Sequence, residues 1–465
     1  MNFAKRLTAG IILCIFLLGL AACDSQEAPP ATPTEPLVAA AEAYETAKAQ
    51  LLAAPNRILT YTTTTSSTID GQAYTQSVEG TASFSNVGTD DMIAVVEEKL
   101  VYGTVSADYL LSFCNGRAYS RISGSTFGAE MTAEDFLATQ LPAALLDTSL
   151  YESIAYRTHA DGTGILFTQP KSLESWVNAP KGAQQVIASG LAILDSTGAL
   201  IQTEYTAEYS CGDTAYYLQI TLKCTTPAQL ELSALHPEHP DEYAVLACLD
   251  APKLLLQAAG HIFSAKNLSA DAEETIFSEI IPLTRQRKSQ IAISGTSDTL
   301  KAMLANTISI TDYRDQPSVT TQTYLFQNGV CTSSIDGSDP TVQAGITAET
   351  MRTSIEDTLL SALFAPRYLA GATLTEEEGV YRLDFTGNEA YCSDLTRDLS
   401  AFLNLSMEGV TSHHSTEANG YLCIDKVTGL PVAMGMYFSR THMFGDIPYV
   451  LSYQLDQAVN LSPAV

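Results

Sequence analysis

The densest group of side chains that could bind a metal or exchange protons is the stretch HPEHPDE. It offers the imidazoles and carboxylates of His236, Glu238, His239, Asp241 and Glu242. Histidines that share a metal are often held one helical turn apart, but the two prolines of this stretch prevent a regular helix. We therefore interpret the stretch as a solvated loop between domains, in preference to a metal site.

Motifs for nucleophilic or metal-dependent hydrolysis do not occur in the sequence. GxSxG, Ser-x-x-Lys, HExxH and the P-loop are all absent from it. The pair His413 and His414 and the acidic runs at Thr89 and Glu376 fall where we expect loops. Paired carboxylates could serve a glycosidase, but only about 5 to 9.5 Å apart across a groove, and the sequence does not place them so. The sequence predicts no catalytic residue, no cofactor and no metal ligand.

The net charge disfavours two kinds of partner. The chain has 52 acidic and 24 basic residues, for a formal charge of -28, and loss of Lys5 and Arg6 with a signal peptide would make it -30. A charge of this size repels nucleic acids and anionic bilayer surfaces. The only basic cluster, RQRK at Arg285 to Lys288, we interpret as a solvated strand edge, since Lys and Arg protect exposed edges.

The N-terminus has the pattern of a secretory signal peptide. Two basic residues precede the apolar run AGIILCIFLLGL, which is too short to span a bilayer comfortably. The following LAAC, which ends at Cys23, resembles the lipobox of bacterial lipoproteins. That resemblance implies cleavage between Ala22 and Cys23, a diacylglyceryl thioether on Cys23, and acyl chains such as palmitate. An ordinary secreted protein or an uncleaved anchor is the alternative.

We accordingly expect residues 1–22 to be a removed signal peptide. Residues 23–36, from the lipidated Cys23 onward, are rich in Pro and Ala and read as a flexible linker. Lipid on Cys23 would hold the protein to the extracytoplasmic face of the cell membrane, because two acyl chains give stable anchoring. The sequence does not say whether the host has an outer membrane.

Seven further cysteines belong to the mature chain: Cys114, Cys211, Cys224, Cys248, Cys331, Cys392 and Cys423. An odd number cannot all pair, and no CxxC or zinc spacing occurs. Most lie in apolar runs, where Cys behaves as a small buried hydrophobe. We expect mainly free core thiols, and one or two disulfides remain open.

The chain repeats itself. FCNGRAYSRI at Phe113 is matched by FQNGVCTSSI at Phe326, an offset of 213, and both predict a hairpin around an Asn-Gly turn. LDSTGALIQTEYTAEYS and IDKVTGLPVAMGMYFSRT contain matching turns at Asp195 and Asp425, an offset of 230. Between these pairs, MTAEDF and ITAETM predict two helices capped by threonine. A duplicated unit whose second copy gained loops, such as SMEGVTSHHSTEANG, explains the growing offset.

Each copy begins with a helical pattern. LVAAAEAYETAKAQLLAA predicts an Ala-rich helix that ends near Pro55, and the Thr-rich stretch after it predicts a long hairpin around Asp70 and Gly71. APKLLLQAAGHIFSAK predicts the corresponding helix of the second copy. We place the boundary near residue 246.

Taken in this order, the two Asp-turn hairpins, the two Asn-Gly hairpins and the helices after them resemble the LolA/LolB/LppX-like lipoprotein fold. The same motifs resemble Firmicute envelope lipoproteins that are built on this fold. The resemblance implies an α+β fold with two tandem domains, residues 37–246 and 247–465. Each would be a strongly curved antiparallel sheet, an unclosed half-barrel, with helices packed across its concave face.

The better-known relatives with this fold hold acyl chains or lipids between sheet and helices, and many other relatives have no assigned ligand. The resemblance thus implies a non-enzymatic lipoprotein that binds or carries a hydrophobic ligand such as a lipid. An envelope interaction or sensory module with no small-molecule ligand is the alternative. The sequence identifies neither the ligand nor a protein partner, and it leaves the oligomeric state open.

Overall fold

The computed structural model describes residues 36–69, 71–140, 145–171, 184–211, 214–235, 244–296, 298–312, 317–426 and 428–461. These residues form two β-sheets, one of 12 strands and one of 11. Neighbouring strands are antiparallel, apart from one short parallel strand at an edge of the first sheet. Each sheet is open, with two edge strands.

The first sheet is built from residues 57–245. Its strands are β1 (Arg57–Ile69), β2 (Gln72–Ser85), β3 (Ile93–Tyr102), β4 (Val105–Cys114), β5 (Arg117–Ile122), β6 (Ser125–Glu130), β7 (Tyr151–His159), β8 (Gly162–Pro170), β9 (Gln184–Leu194), β10 (Leu200–Cys211), β11 (Thr214–Thr225) and β12 (Ala244–Val245). They lie in the order β12, β6, β5, β4, β3, β2, β1, β11, β10, β9, β8, β7. The chain thus runs outward from β1 to β6, starts again at the opposite edge with β7, and returns until β11 pairs with β1.

The second sheet is built from residues 267–460. Its strands are β13 (Asn267–Ser278), β14 (Leu283–Ser294), β15 (Lys301–Asp312), β16 (Pro317–Gln327), β17 (Val330–Ile335), β18 (Thr341–Gln343), β19 (Leu369–Glu377), β20 (Val380–Gly387), β21 (Ser412–Asp425), β22 (Pro431–Phe444) and β23 (Ile447–Asn460). They lie in the order β18, β17, β16, β15, β14, β13, β23, β22, β21, β20, β19. The two sheets therefore share one strand order, and only β12 has no counterpart among the described strands.

Helices cover one face of each sheet, and we call that face concave and the opposite face outer. The helices are α1 (Pro36–Ala53), α2 (Ala133–Gln140), α3 (Ala251–Ser264), α4 (Ala348–Leu360) and α5 (Glu389–Phe402). Helix α1 lies on β7 to β10, α4 touches β15, and α5 lies on β20 to β22. The predicted α+β class, with two curved, unclosed sheets and helices across their concave faces, is confirmed.

Helix α3 touches both sheets. It packs on β3 and β4 of the first sheet and also contacts α4 and β19. The sequence predicts this helix as the opening of the second domain, and the structure shows that it packs on the first sheet as well. The domain limits 37–246 and 247–465 stay predictions.

The turns and helix caps that local sequence patterns predict are present in the structure. Both Asn-Gly turns place two residues at positive φ, 52° and 73° at Asn115 and Gly116, and 54° and 75° at Asn328 and Gly329, as a type I′ turn requires. Thr347 caps α4, since its hydroxyl accepts from the Thr350 backbone amide. The capping interaction at α2 is the same: the Thr132 hydroxyl accepts from the Asp135 amide at 3.1 Å.

The phrase that occurs twice folds into one kind of turn. The Asp195 carboxylate accepts from the backbone amides of Thr197 at 2.8 Å and Ala199 at 3.0 Å. The Asp425 carboxylate likewise accepts from the Thr428 amide at 2.6 Å. An aspartate that binds its own backbone two or more residues on stabilises a tight turn between strands. Both phrases therefore encode a hairpin, β9–β10 in one sheet and β21–β22 in the other.

Three expectations are corrected. RQRK lies in β14, which pairs with β13 and β15, so it is central in the sheet and not at an edge. His413 and His414 belong to β21 and not to an inserted loop. Glu376 and Glu377 end β19, whereas Glu378 lies in the turn after it, and Asp90 and Asp91 lie in a turn as predicted. In each case pairing with a neighbouring strand decided the outcome: β13 and β15 for RQRK, β22 for the two histidines, and β20 for the two glutamates.

Candidate functional site on the concave faces

The concave face of the first sheet is filled where α1 lies over it. The Tyr44 ring of α1 meets Phe167 of β8 edge-on, with 5.0 Å between ring centroids. Phe167 also contacts Tyr151, at 5.3 Å. All three side chains are buried, with Ala40 and Leu51 of the same helix. Close packing of this kind leaves no space for an acyl chain between α1 and β8.

The other half of this face is closed by a buried ion pair that joins α3 to β3. Lys253 of α3 lies 2.5 Å from Glu98, and their side chains are 17% and 9% exposed. The second carboxylate oxygen of Glu98 accepts from the Tyr61 hydroxyl at 2.6 Å. The Lys253 ammonium also sits 3.8 Å from the centre of the Tyr109 ring. These contacts fix α3 on the first sheet.

The concave face of the second sheet carries a different ionic cluster. Glu274 of β13 accepts from Arg285 and Arg287 of β14, one arginine on each oxygen, both at 2.8 Å. Burial lowers the pKa of Arg285, but an arginine side chain remains charged at neutral pH. The buried Arg287 Nε–H has no hydrogen-bond partner among the described residues. Two cations against one carboxylate leave a net positive charge within this cluster.

Apolar side chains that remain partly open to solvent surround this cluster. Ile308 and Ile310 lie directly opposite Arg287 and Arg285 across the β14–β15 pair. Phe402, at the end of α5, is 55% exposed and stacks on Arg285 at 4.8 Å. We call Glu274, Arg285, Arg287, Ile308, Ile310 and Phe402 the second concave site. An apolar rim beside fixed cations can accept a molecule with an apolar body and an anionic group.

Sequence reasoning missed this site, although one signal for it is present. In RQRK the two arginines are separated by one residue, so in a strand both must point to the same face. Lys288 points to the outer face, where it lies 3.2 Å from Glu273. The alternation, applied to RQRK together with the acidic pair of β13, would have placed two arginines on one face opposite Glu274.

The structure does not bring the other candidate residues together. Ala22, Cys23 and the stretch His236 to Glu242 lie outside the described residues. His413 is exposed and contacts the buried His442 through their Nδ1 atoms at 3.1 Å, and burial lowers the pKa of His442 to about 4. Across the described ranges, no three His, Cys, Asp or Glu side chains converge as metal ligands would.

The cysteines are core residues. Cys224, Cys248, Cys331, Cys392 and Cys423 are free thiols, as predicted, and all but Cys248 are buried. Burial raises the pKa of Cys224 to about 12, so its thiol stays protonated and unreactive. Cys114 is buried as well, and the side chain of Cys211 is not among those described.

None of the helices within the described ranges has the length and apolar character to cross a bilayer.

Two open grooves lie on the sheets. One, of about 960 Å³, crosses β3 to β5 and is lined by charged groups that include Glu97, Asp108 and Arg121. The other, of about 790 Å³, crosses the second sheet from β22 to β16. Its charged lining residues are Asp271, Glu273, Lys288 and Asp456. The first groove is mainly polar, which suits peptides or hydrated ligands better than acyl chains. The lining of the second groove is more apolar than polar, with the four charged side chains set along it.

Comparison with protein-family models found no match, and comparison with curated protein sequences found none either. Among solved structures, LprF from Mycobacterium bovis is similar at 10% identity with a TM-score of 0.27, over 47% of this chain and 96% of LprF. A DUF1329 family protein from Desulfovibrio piger is similar at 9% identity and a TM-score of 0.19, over 43% of this chain and 96% of its own. Kievitone hydratase from Nectria haematococca is similar at 8% identity with a TM-score of 0.11, over 86% of this chain and 88% of the hydratase. At TM-scores below 0.5 these likenesses carry no conclusion about function.

Proposed function

We propose that this protein is a non-enzymatic bacterial lipoprotein that binds a hydrophobic molecule with an anionic head group. Lipid on Cys23 anchors it to the extracytoplasmic face of the cell membrane, and residues 23–36 space the folded part from the surface. The second concave site is the observation that supports the binding function. It combines partly exposed apolar side chains with two arginines that share Glu274 as their carboxylate partner among the described residues.

Electrostatics favour an anionic ligand at the second concave site. A chain of charge -28 repels anions in general, so an anionic molecule needs a local cation to bind. Arg287 supplies it, because its Nε–H is a buried donor without an acceptor among the described residues. A carboxylate or phosphate oxygen placed there satisfies the donor and gains a charge-assisted hydrogen bond. A fatty acid or a phospholipid has this chemistry.

The shared strand order of the two sheets supports an origin by tandem duplication, which we propose together with the LolA/LolB/LppX-like relationship. The two copies have since diverged on their concave faces. The first face is filled by Tyr44 and Phe167 and closed by α3, whereas the second remains open at Ile310 and Phe402. Binding is therefore assigned to the second copy.

Replacing Arg287 with glutamine should weaken binding of an anionic amphiphile at least tenfold, because a charge-assisted hydrogen bond contributes about 1.5 to 3 kcal/mol. Residues 24–465 would be purified without the anchor, analysed by native mass spectrometry, and titrated with a fluorescent fatty acid. Lys288→Gln is the matched control, since it removes the same charge from the next residue of β14 on the outer face. Its affinity should change less than twofold.

Two results would contradict the proposal. One is a clean apo mass with no saturable binding of the fatty acid or of a phospholipid. The other is equal weakening by Arg287→Gln and Lys288→Gln, which would show a general charge effect. Either result favours the alternative function, an envelope interaction or sensory module with no small-molecule ligand.

A further inference from the structure

A row of outward-facing residues crosses the first sheet in continuous register. Each member pairs directly with the next across adjacent strands, from β1 to β6. The row consists of Ile58, Ser83, Val95, Ser112, Tyr119 and Gly128. Ser112 and Tyr119 are buried although they face away from the helices. Some other part of the molecule must therefore cover the outer face here.

The segment after β11 covers this row. Residues 226–245, of which 226–235 and 244–245 are described, form what we call the strap. The Ala228 carbonyl accepts from the Asn56 side chain at 3.2 Å, and the Leu235 amide donates to the Ser112 hydroxyl at 3.0 Å. The strap then ends as β12, which pairs with Phe127 and Gly128 of the edge strand β6. The described parts of the strap thus contact the outer row at Ser112 and fill the edge of the first sheet beside β6.

Burial alternates along the strap as it does in an extended chain on a surface. Leu230 and Leu232 are half-buried, whereas Glu231 and Ser233 are exposed. Alternate apolar side chains therefore face the sheet and the polar ones face solvent.

The second sheet has the equivalent row without a strap. From β13 to β18 the partners are Ser269, Ala292, Met303, Leu325, Thr332 and Val342. Leu325, which corresponds to the fully buried Ser112, is 46% exposed, and Val342, which corresponds to Gly128, is 71% exposed. This row is more apolar than its counterpart and less covered. We call it the bare row.

The edge beside the bare row is also open among the described strands. β18 is a three-residue strand that pairs only with β17, so its outer backbone groups lack a neighbouring strand. Open edges with exposed apolar side chains bind extended peptides by strand addition. In the first sheet, β12 fills the corresponding edge.

We propose that the bare row and the open edge of β18 bind an extended segment of a partner protein in the way that the first sheet holds the strap. The segment carries leucines or similar residues at alternate positions and is neutral or basic. Its charge follows from the adjoining groove, where Asp271, Glu273 and Asp456 outnumber Lys288. A second copy of this chain is disfavoured as the occupant, because two chains of charge -28 repel each other. The proposal concerns the outer face and is independent of the concave ligand site.

A synthetic peptide with the strap sequence, residues 226–246, is the probe. Its four acidic residues are replaced by the corresponding amides, and it carries a fluorophore. In the full chain the first sheet is already covered by the tethered strap, so the added peptide reports on the second sheet. We expect saturable binding by fluorescence anisotropy, and a peptide with Leu230→Ser and Leu232→Ser should bind at least tenfold more weakly.

Protein variants locate the binding surface. Leu325→Asp combined with Val342→Asp should weaken peptide binding at least tenfold. The control is Ile187→Asp, which places one carboxylate, against two in the double variant, at a 67% exposed isoleucine of the first sheet and should leave the affinity unchanged. All positions are exposed, and circular dichroism of each variant checks that it is folded.

Three outcomes overturn the proposal. The peptide fails to bind, or it binds equally to the Leu325→Asp, Val342→Asp variant. The third is concentration-dependent dimerisation in sedimentation that this double variant abolishes, which would make a second copy the occupant. Loss of fatty-acid binding in the same variant is not expected, because Leu325 and Val342 lie on the face opposite Arg287.

Discussion

Replacing Cys23 with alanine should abolish incorporation of labelled palmitate completely and leave residues 1–22 attached. The sulfur of Cys23 is the only atom of the LAAC motif that can form a thioether, so no other residue of the motif can substitute for Cys23. Metabolic labelling and intact mass of the protein, expressed in a bacterial host with the lipoprotein pathway, measure both effects. Labelling that persists at wild-type level would contradict the assignment of Cys23.

A second variant separates the anchor from the apolar signal segment. Residues 1–22 would be replaced by a signal peptide that ordinary signal peptidase removes, with Cys23→Ala behind it. Each acyl chain contributes about 0.8 kcal/mol per buried CH₂, so membrane partitioning should fall by more than about a thousandfold and the protein should become soluble. Cys248→Ala is the matched control, since it removes a thiol that lies in the folded part. It should leave both labelling and membrane association unchanged.

The features that were predictable from the sequence are those that neighbouring residues determine. Asn115-Gly116 specifies its turn because only residues that tolerate positive φ fit there, and Thr347 specifies a helix start through its own side chain. Repetition of these local signals at growing offsets predicted two tandem units, and the resemblance to the LolA/LolB/LppX-like fold implied that each is an open curved sheet with helices across it. The repeated Asp motif is a turn whose hydrogen bonds stay within five residues, so it was also predictable from the sequence.

The candidate sites depend on contacts between distant residues, and there the sequence was less informative. The role of Arg287 follows from a hairpin partner, Glu274, that lies 13 residues away. The strap contact between Leu235 and Ser112 joins residues 123 positions apart. Alternation in RQRK shows that its arginines share a face, but not whether that face meets helices or water. Prediction therefore succeeded for the turns and failed for the placement of RQRK.

Replacing Glu98 with alanine should lower the free energy of unfolding by about 3 kcal/mol. The change removes the main partner of Lys253, whose side chain is only 17% exposed, and breaking a buried ion pair from one side leaves an uncompensated charge. Asp250, 3.4 Å from the Lys253 ammonium, limits the loss because it remains as a second, more exposed partner. Urea denaturation followed by circular dichroism measures the change. Glu273→Ala is the matched control: its pair with Lys288 is solvent-exposed, so it should cost less than about 0.5 kcal/mol.

The double variant Glu98→Leu, Lys253→Met tests whether the pair holds α3 by charge or by packing. Met and Leu fill similar volume without a desolvation cost, so the double variant should recover most of the stability that Glu98→Ala loses. Recovery would show that α3 needs a filled contact with β3 and that the charges select the partner. If Glu98→Ala costs no more than Glu273→Ala, the pair does not hold α3 on the first sheet. The closed state of the first concave face would then depend on α1 and its aromatic contacts, and a ligand could enter beside α3.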